Sequence, residues 1–177
     1  MNSTTDIELV QQLQAGNEQA LRDIIERHRE RLFRLAYRLL NDRDAASDAV
    51  QETFIRLWRH ARRINPDQSL ATWLCTLCAR RCYDELRRRR RHRTTLANLP
   101  SDATNPDAMA TDELLALLHQ AVASLPPKQQ VVYQLREIEC LTTDEVAAAT
   151  HMSADQVKAN LFVARTNVRE KLKHYGI

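Results

Sequence analysis

The chain has 177 residues, with 26 Lys and Arg against 23 Asp and Glu, a net charge of +3 and only 2 glycines. Because those glycines lie at positions 16 and 176, the sequence excludes the Gly-rich phosphate loops of nucleotide-binding enzymes and the glycine-flanked nucleophile elbow. Tight β-hairpins usually need Gly at their turns, so a chain rich in Leu, Ala, Arg and Glu is predicted to be all-α.

Apolar residues recur at helical spacing through the N-terminal half. Residues 6–40 indicate two helices that break near Gly16, and residues 44–63 indicate a third. Residues 64–69 form a turn-rich loop, because the residue before a proline is pushed out of the helical region. A fourth helix is predicted from about Leu70 to Arg91. Four helices are enough to bury one modest core.

The third helix carries a polar stripe as well as an apolar one. Its predicted inward face consists of Ala46, Val50, Phe54 and Leu57. The opposite face consists of Asp44, Asp48, Gln51, Glu52 and Ile55. A polar and acidic stripe of this kind is usually just solvated, so from the residues alone it indicates no function.

The fourth helix ends in five consecutive arginines, Arg87 to Arg91. One interpretation is a solvated helix terminus, which the macrodipole favours for cations. The other is a phosphate-binding strip. Arg80, Arg81 and Arg93 extend the cluster beyond what capping needs, and this favours the strip.

Charge and composition change sharply after residue 93. Residues 1–93 hold 19 basic and 13 acidic residues (+6), residues 94–152 hold 2 and 8 (−6), and residues 153–177 hold 5 and 2 (+3). Residues 94–111, short of large apolar side chains, form a flexible linker. Two basic surfaces separated by an acidic stretch indicate a chain that meets a polyanion at two places.

The second helical domain ends in a helix-turn-helix. A helix at 112–125 and another at 128–139 precede it. Thr142 with Glu145 and Ser153 with Gln156 fit two capping boxes, which open a short helix and a longer one over 154–172. The predicted exposed face of the longer helix consists of Lys158, Phe162, Arg165 and Arg169. Cations and an aromatic residue fit a surface that enters the DNA major groove, although two consecutive amphipathic helices occur in any bundle.

Three of the four cysteines, Cys75, Cys78 and Cys82, share one side of the fourth helix. A metal site or a redox switch is one interpretation, and core packing is the other. Seven residues of helix rise roughly 10.5 Å, too far for one ion to bind the outer two thiols. Core packing is therefore favoured, and Cys140 is also expected to be buried, near the first helix of the helix-turn-helix. No metal site and no cofactor are predicted.

No stretch approaches the roughly 20 apolar residues that span a bilayer. Residues 1–20 also lack a basic segment followed by an apolar run. The protein is therefore expected to be cytoplasmic, with no membrane insertion.

The whole layout resembles the extracytoplasmic-function (ECF) class of bacterial RNA polymerase sigma factors. Residues 44–59, DAASDAVQETFIRLWR, are similar to the family segment that docks on the clamp helices of core polymerase. The resemblance implies that the polymerase is contacted by Asp48, Gln51, Glu52, Ile55 and Trp58, of which Trp58 fits either surface or core. The acidic stripe of the third helix thereby gains a role.

Residues 72–88, TWLCTLCARRCYDELRR, resemble the family segment that melts and reads the −10 promoter element. The −10 contacts implied by the resemblance, together with the arginine cluster, are Leu77, Arg80, Arg81, Asp84, Arg87 and Arg88. Arg80 stands where the family usually has Asn, and Cys75 stands where it usually has an aromatic residue. These two departures bear on which base the −10 pocket prefers.

Residues 125–172 resemble the reader of the −35 element, beginning LPPKQQVVYQLREIE. By resemblance Lys158, Phe162 and Arg165 are kept, and Arg169 extends their face. Ala159, Asn160 and Val163 replace positions that are commonly polar or basic, which implies fewer phosphate contacts and a different promoter sequence.

The resemblance implies two small helical domains joined by a linker. Residues 1–93 would bind core polymerase and the −10 element, and residues 112–177 would form the helix-turn-helix that reads −35. Residues 94–111 would run through the polymerase channels, unless they are a solvated tether. The implied partners are core polymerase through its clamp helices and flap, promoter DNA and an anti-sigma factor.

Other interpretations predict different behaviour. A helix-turn-helix regulator would bind duplex DNA without polymerase, usually as a dimer. A sensor built on the cysteine cluster would bind metal or react through its thiols. A nuclease is disfavoured, since no carboxylate cluster at metal-binding spacing adjoins the arginines. The protein is not expected to be an enzyme.

Overall fold

The computed structural model describes residues 5–65, 69–95 and 113–174. The N-terminal elements are α1 (Asp6–Gln14), α2 (Glu18–Leu40), α3 (Arg43–His60), a 3-10 turn (Ala61–Arg63) and α4 (Leu70–Thr95). The C-terminal elements are α5 (Glu113–Ala123), α6 (Pro127–Tyr133), a π-helical turn (Gln134–Ile138) that continues α6, α7 (Thr143–Thr150) and α8 (Ala154–His174). The prediction of an all-α protein is confirmed for these ranges.

Two predicted loops lie partly outside the described residues. The structure describes neither 66–68 of the predicted loop 64–69 nor 96–112, which holds most of the predicted linker. Helix α4 runs on through Thr95, so residues 94 and 95 are helical.

Side chains at the chain's turns explain where the long helices begin and end. Gly16 has φ +88°, a conformation that glycine adopts without steric cost, and Asn17 then caps α2 by accepting the N–H of Gln19 at 2.9 Å. Asn41 ends α2 with φ +47°, and the Asp42 carboxylate accepts a backbone N–H of the first turn of α3 at 3.0 Å. The sequence therefore sets the α1–α2 and α2–α3 corners locally.

The largest core forms where α2 packs against α3 and α4, with α1 across one end. Its most deeply buried large side chains from this half of the chain are Leu9, Ile24, Leu32, Leu35, Leu39, Leu57, Leu70 and Leu74. All of them except Leu70 belong to the apolar positions that the helical periodicity predicts to face inward. Each such side chain contributes about 1.5–3 kcal/mol through removal from water.

The C-terminal half packs directly on the N-terminal half. Helices α6 and α7 contact α4, and residues such as Leu135 and Val146 join the same core. The Gln130 side-chain amide also donates to the carbonyl of Leu39 at 3.0 Å. A second, smaller core lies between α5 and the C-terminal half of α8. The two halves predicted from the sequence are therefore in contact along α4.

A buried carboxylate joins the halves electrostatically. The Glu139 side chain is only 7% exposed, and its Oε2 accepts hydrogen bonds from Nε and Nη2 of Arg31 at 3.2 and 3.1 Å. Nη1 of Arg38 lies 3.8 Å from the other carboxylate oxygen, and the Cys75 thiol lies 4.0 Å from Oε2. Because both arginines belong to α2, the pairing fixes the end of the π-helical turn against the N-terminal half.

We expect Glu139→Gln to lower the free energy of unfolding by about 1–2 kcal/mol, because a charge-assisted pair is lost at a nearly buried position. Urea unfolding followed by circular dichroism measures the change. The matched control is Glu30→Gln, which removes an exposed pair with Arg34 and should cost less than about 0.5 kcal/mol. Equal effects of the two substitutions would contradict this role for Glu139.

Candidate functional site

A groove of about 540 Å³ runs between α3 and α4. Its lining residues are Asp48, Gln51, Glu52, Ile55, Arg56, Arg81 and Asp84. Four of the five residues predicted to face polymerase therefore meet on one surface. The fifth, Trp58, lies further along α3 with 43% of its surface exposed.

The groove exists because α3 buries its other face. Ala46, Val50 and Leu57 point into the core, and the Thr53 hydroxyl donates to the carbonyl of Ala49 at 2.7 Å. At 3.6 residues per turn, positions 48, 51, 52 and 55 are then left toward solvent. The amphipathic pattern itself thus produces the acidic wall.

Helix α4 supplies the second wall. Arg81 and Asp84, which the resemblance assigns to the −10 element, line the same groove as Asp48 and Glu52. Arg56 was missed by the sequence analysis, although its spacing of four from Glu52 signals the ion pair seen at 2.9 Å. Its hydrogen bond lowers the pKa of Glu52, so this carboxylate is ionised at neutral pH. The groove therefore offers fixed charges of both signs around one aliphatic side chain, Ile55.

The other residues predicted for the −10 element follow one stripe of α4. Leu77 and Arg80 are partly buried, whereas Arg87 and Arg88 are exposed. The guanidinium of Arg87 lies over the Tyr83 ring, 5.6 Å from its centre. Arg88 donates two hydrogen bonds to Glu85, at 3.0 and 2.9 Å. A phosphate that binds Arg88 must therefore compete with a carboxylate.

One arginine of the run has a structural contact that the sequence analysis missed. Arg89 bonds to Asp42 at 2.8 Å and to Glu85 at 3.0 Å, and it also donates to the carbonyl of Leu40 at 3.3 Å. It thereby clamps the end of α2 and the start of α3 to α4. The pKa of Glu85 is lowered by hydrogen bonds from Arg88 and Arg89, and that of Asp42 by the N–H of Ala45 and by Arg89.

The C-terminal helix-turn-helix has both predicted capping boxes. The Thr142 hydroxyl accepts the N–H of Glu145, whose carboxylate accepts the N–H of Thr142 at 2.7 Å. Ser153 and Gln156 make the same pair of bonds at the start of α8. In the turn, His151 adopts φ +56°, a left-handed conformation that a glycine would adopt at lower cost.

The face of α8 predicted to be exposed is exposed. Lys158, Phe162, Arg165 and Arg169 all point to solvent, and the opposite side buries Val157, Leu161, Ala164 and Val168. Arg165 bonds to Glu137 of the π-helical turn at 2.7 Å. The surface of α8 therefore has the cations and the accessibility that a helix in a DNA groove needs.

The three clustered cysteines pack in the core. Cys75, Cys78 and Cys82 have no exposed surface, and burial raises the pKa of Cys75 to about 12. A hydrogen bond with Cys78 and burial also raise the pKa of Cys82. The expectation that Cys140 is buried was wrong: its backbone adopts φ +56° after the π-helical turn, and its side chain is exposed.

Neither a metal site nor a membrane-spanning helix occurs among the residues that the structure describes. Within 5–65, 69–95 and 113–174, no group of three or more His, Cys, Asp or Glu side chains is arranged to hold a metal ion. In those same ranges, every helix is too short or too polar to cross a membrane.

Comparison with known proteins identifies both halves. Residues 24–92 match the family model for sigma-70 region 2, and residues 115–168 match the model for sigma-70 region 4. The first match contains the groove between α3 and α4, and the second contains the helix-turn-helix. The chain belongs to the sigma-70 family of RNA polymerase sigma factors.

Two curated relatives indicate which group of sigma factors the chain resembles. The chain is 31% identical over 159 residues to ECF RNA polymerase sigma factor SigE of Mycolicibacterium smegmatis, covering 86% of this chain but only 62% of that protein. It is 24% identical over 177 residues to ECF RNA polymerase sigma factor SigW of Bacillus subtilis, covering 93% and 95% of the two chains. Within its family the chain is similar to ECF sigma factors.

A solved structure shares the fold. The sigma factor RpoE of Bartonella quintana, crystallised in complex with the anti-sigma factor NepR, superposes with a TM-score of 0.69 at 22% identity. The match covers 86% of this chain and 96% of that one.

We expect one thiol of the native protein to react with a disulfide reagent at pH 8, because Cys140 is exposed whereas burial keeps Cys75 protonated at that pH. Colorimetric titration should count one thiol in the native state and four in denaturant, and none in native Cys140→Ser. Rapid reaction of three or more native thiols would instead favour a thiol sensor.

The clamp at Arg89 predicts a pH dependence. Because folding lowers the pKa values of Asp42 and Glu85, their stabilisation is complete well above their unfolded values of about 3.9 and 4.3. It is lost as the pH falls below about 5 and through the lowered folded values. We expect Arg89→Ala to cost about 1–3 kcal/mol at pH 7 and to reduce in part the loss of stability toward acid pH (the acid limb), because the Ala45 N–H and Arg88 still lower the pKa values of Asp42 and Glu85. Urea unfolding from pH 7 to 3 measures both effects. An unchanged acid limb would contradict the clamp.

Proposed function

We propose that the chain directs core RNA polymerase to a set of promoters by holding polymerase on α3 and promoter DNA on α4 and α8. The observation that carries this proposal is the groove of Asp48, Gln51, Glu52 and Ile55. The α3 wall of the groove carries Asp48 and Glu52, and it does not favour DNA, since carboxylates repel phosphates. A protein partner with cationic and apolar side chains fits it, and the clamp helices of polymerase are the partner that the family implies.

Promoter DNA would meet the chain at two places. The exposed cations of α8 support its insertion into the major groove of the −35 element, with the face that carries Lys158, Phe162 and Arg165 toward the bases. On α4, Arg87 and Arg88 would hold the backbone of the −10 strand near Leu77 and Arg80. A base taken out of the duplex needs such cations beside a pocket, and the stripe on α4 offers the cations.

An anti-sigma factor is the proposed regulator. The structure of RpoE from Bartonella quintana contains the anti-sigma factor NepR, which supports the same kind of control here. A protein seated in the groove between α3 and α4 would exclude polymerase directly. The flap of polymerase is the proposed contact of the C-terminal half, and the cytoplasm is the proposed location.

We expect Asp48→Arg/Glu52→Arg to weaken binding to bacterial core polymerase at least tenfold, because the substitution reverses two charges in the groove. Run-off transcription on fragments of the host genome should then lose the start sites that the wild type produces. The matched control, Glu18→Arg/Glu26→Arg, reverses two exposed charges on α2 outside the groove and should keep both activities.

Lys158→Ala/Arg165→Ala should give the complementary result. It removes two cations of α8, so core binding should persist while the start sites are lost. Binding to duplex DNA by the wild type with neither core binding nor transcripts would overturn the proposal and favour a helix-turn-helix regulator.

A further inference from the structure

An apolar patch occupies the middle of the exposed face of α8. Ala159, Phe162, Val163 and Thr166 follow one another at i, i+3, i+4 and i+7, so their side chains are neighbours on the helix surface. Phe162 is 73% exposed and Val163 is 41% exposed. The helix buries its opposite side, so this patch contributes nothing to the core.

Charged side chains border the patch. Lys158 lies one turn before Phe162, and Arg165 lies one turn after it. Arg165 is held by Glu137 at 2.7 Å, which fixes its guanidinium beside the patch. A surface with cations at its edges and an aromatic ring at its centre fits DNA better than it fits the apolar centre of a protein interface.

The polar side chains within this face already donate hydrogen bonds to their own helix. The Thr166 hydroxyl donates to the carbonyl of Phe162 at 3.1 Å, so the hydroxyl bonds its own helix. The Asn160 amide donates to the carbonyl of Gln156 at 2.7 Å. The middle of α8 therefore offers hydrocarbon rather than hydrogen-bond donors to whatever covers it.

The major groove contains one apolar group, the C5 methyl of thymine, and Ala, Thr and Phe are the side chains that typically contact it. We propose that Ala159, Phe162, Val163 and Thr166 read thymine methyl groups in the −35 element. This inference rests on the proposed function, because it requires α8 to lie in that groove. It also gives a role to Ala159 and Val163, which depart from the polar residues common in the family.

A protein partner is the competing occupant of an exposed apolar patch. Stable protein interfaces bury about 800 Å² on each partner and exclude charges from their centre. Four side chains along two helical turns, bordered by cations, are far smaller than such an interface. The observations therefore favour DNA.

The test removes one thymine methyl group at a time. Start sites mapped by run-off transcription define promoters, and synthetic duplexes of these promoters then carry deoxyuridine in place of thymidine at one −35 position at a time. Holoenzyme formed with the full chain binds each duplex, and fluorescence anisotropy measures the dissociation constant.

We expect at least one uracil replacement to weaken binding about fourfold, the factor that corresponds to about 0.8 kcal/mol for one buried methyl group. At the −35 position that responds, Phe162→Ala should lower the ratio of the dissociation constant of the uracil duplex to that of the thymine duplex, because the ring no longer contacts the methyl group. Lys158→Ala is the control, because losing a cation should weaken both and keep their ratio. Val163→Ala supplies a second, milder variant at an exposed position.

Equal binding of wild-type holoenzyme to every thymine and uracil pair would overturn the inference, and so would −35 elements without thymine. In either case transcription from the mapped start sites would leave the proposed function intact. Failure to bind core polymerase or to transcribe would overturn both the proposed function and this inference.

Discussion

The enclosure of α4 on three sides determines where this chain can meet its partners. Helices α2 and α3 cover two of its sides, and α6 with α7 covers a third. The covered residues include Ala79 and three cysteines, whose small side chains allow neighbouring helices to approach closely. The open side of α4 includes the stripe from Leu77 to Arg88. A partner that contacts α4 along this stripe would also meet the acids of α3, because Arg81 and Asp84 lie in the same groove as those acids.

The sequence predicted the local structure better than the contacts between distant segments. Apolar periodicity identified the long helices, and the two capping boxes located α7 and α8, because both signals operate within four residues. The pairing of Glu139 with Arg31 joins positions 108 apart, and no local pattern reports it. The exposure of Cys140 was missed because this residue lies in the connection between the π-helical turn and α7, where the backbone adopts φ +56° and helical periodicity does not apply.

Several cations in the candidate site are already paired with carboxylates. Arg88 bonds to Glu85, Arg165 to Glu137 and Arg56 to Glu52, each at 3.0 Å or less. The sequence predicted the residue types of this surface but not the long-range pairing of Arg165. A carboxylate holds each paired cation in a defined position. Such cations favour a partner whose acceptor groups lie within their reach. They also release less free energy to a phosphate than unpaired ones, since one favourable contact replaces another.

The packing of α7 against α4 has a consequence for synthesis of the chain. Helix α4 ends at Thr95 and α7 begins at Thr143, so about 50 residues separate the covered helix from its cover. At about 5–20 residues per second, a ribosome needs roughly 2–10 s to make them. During that interval the side of α4 that holds Cys75 stays open to water. A nascent chain thus presents to chaperones and to oxidants an apolar, thiol-bearing surface that the finished protein hides.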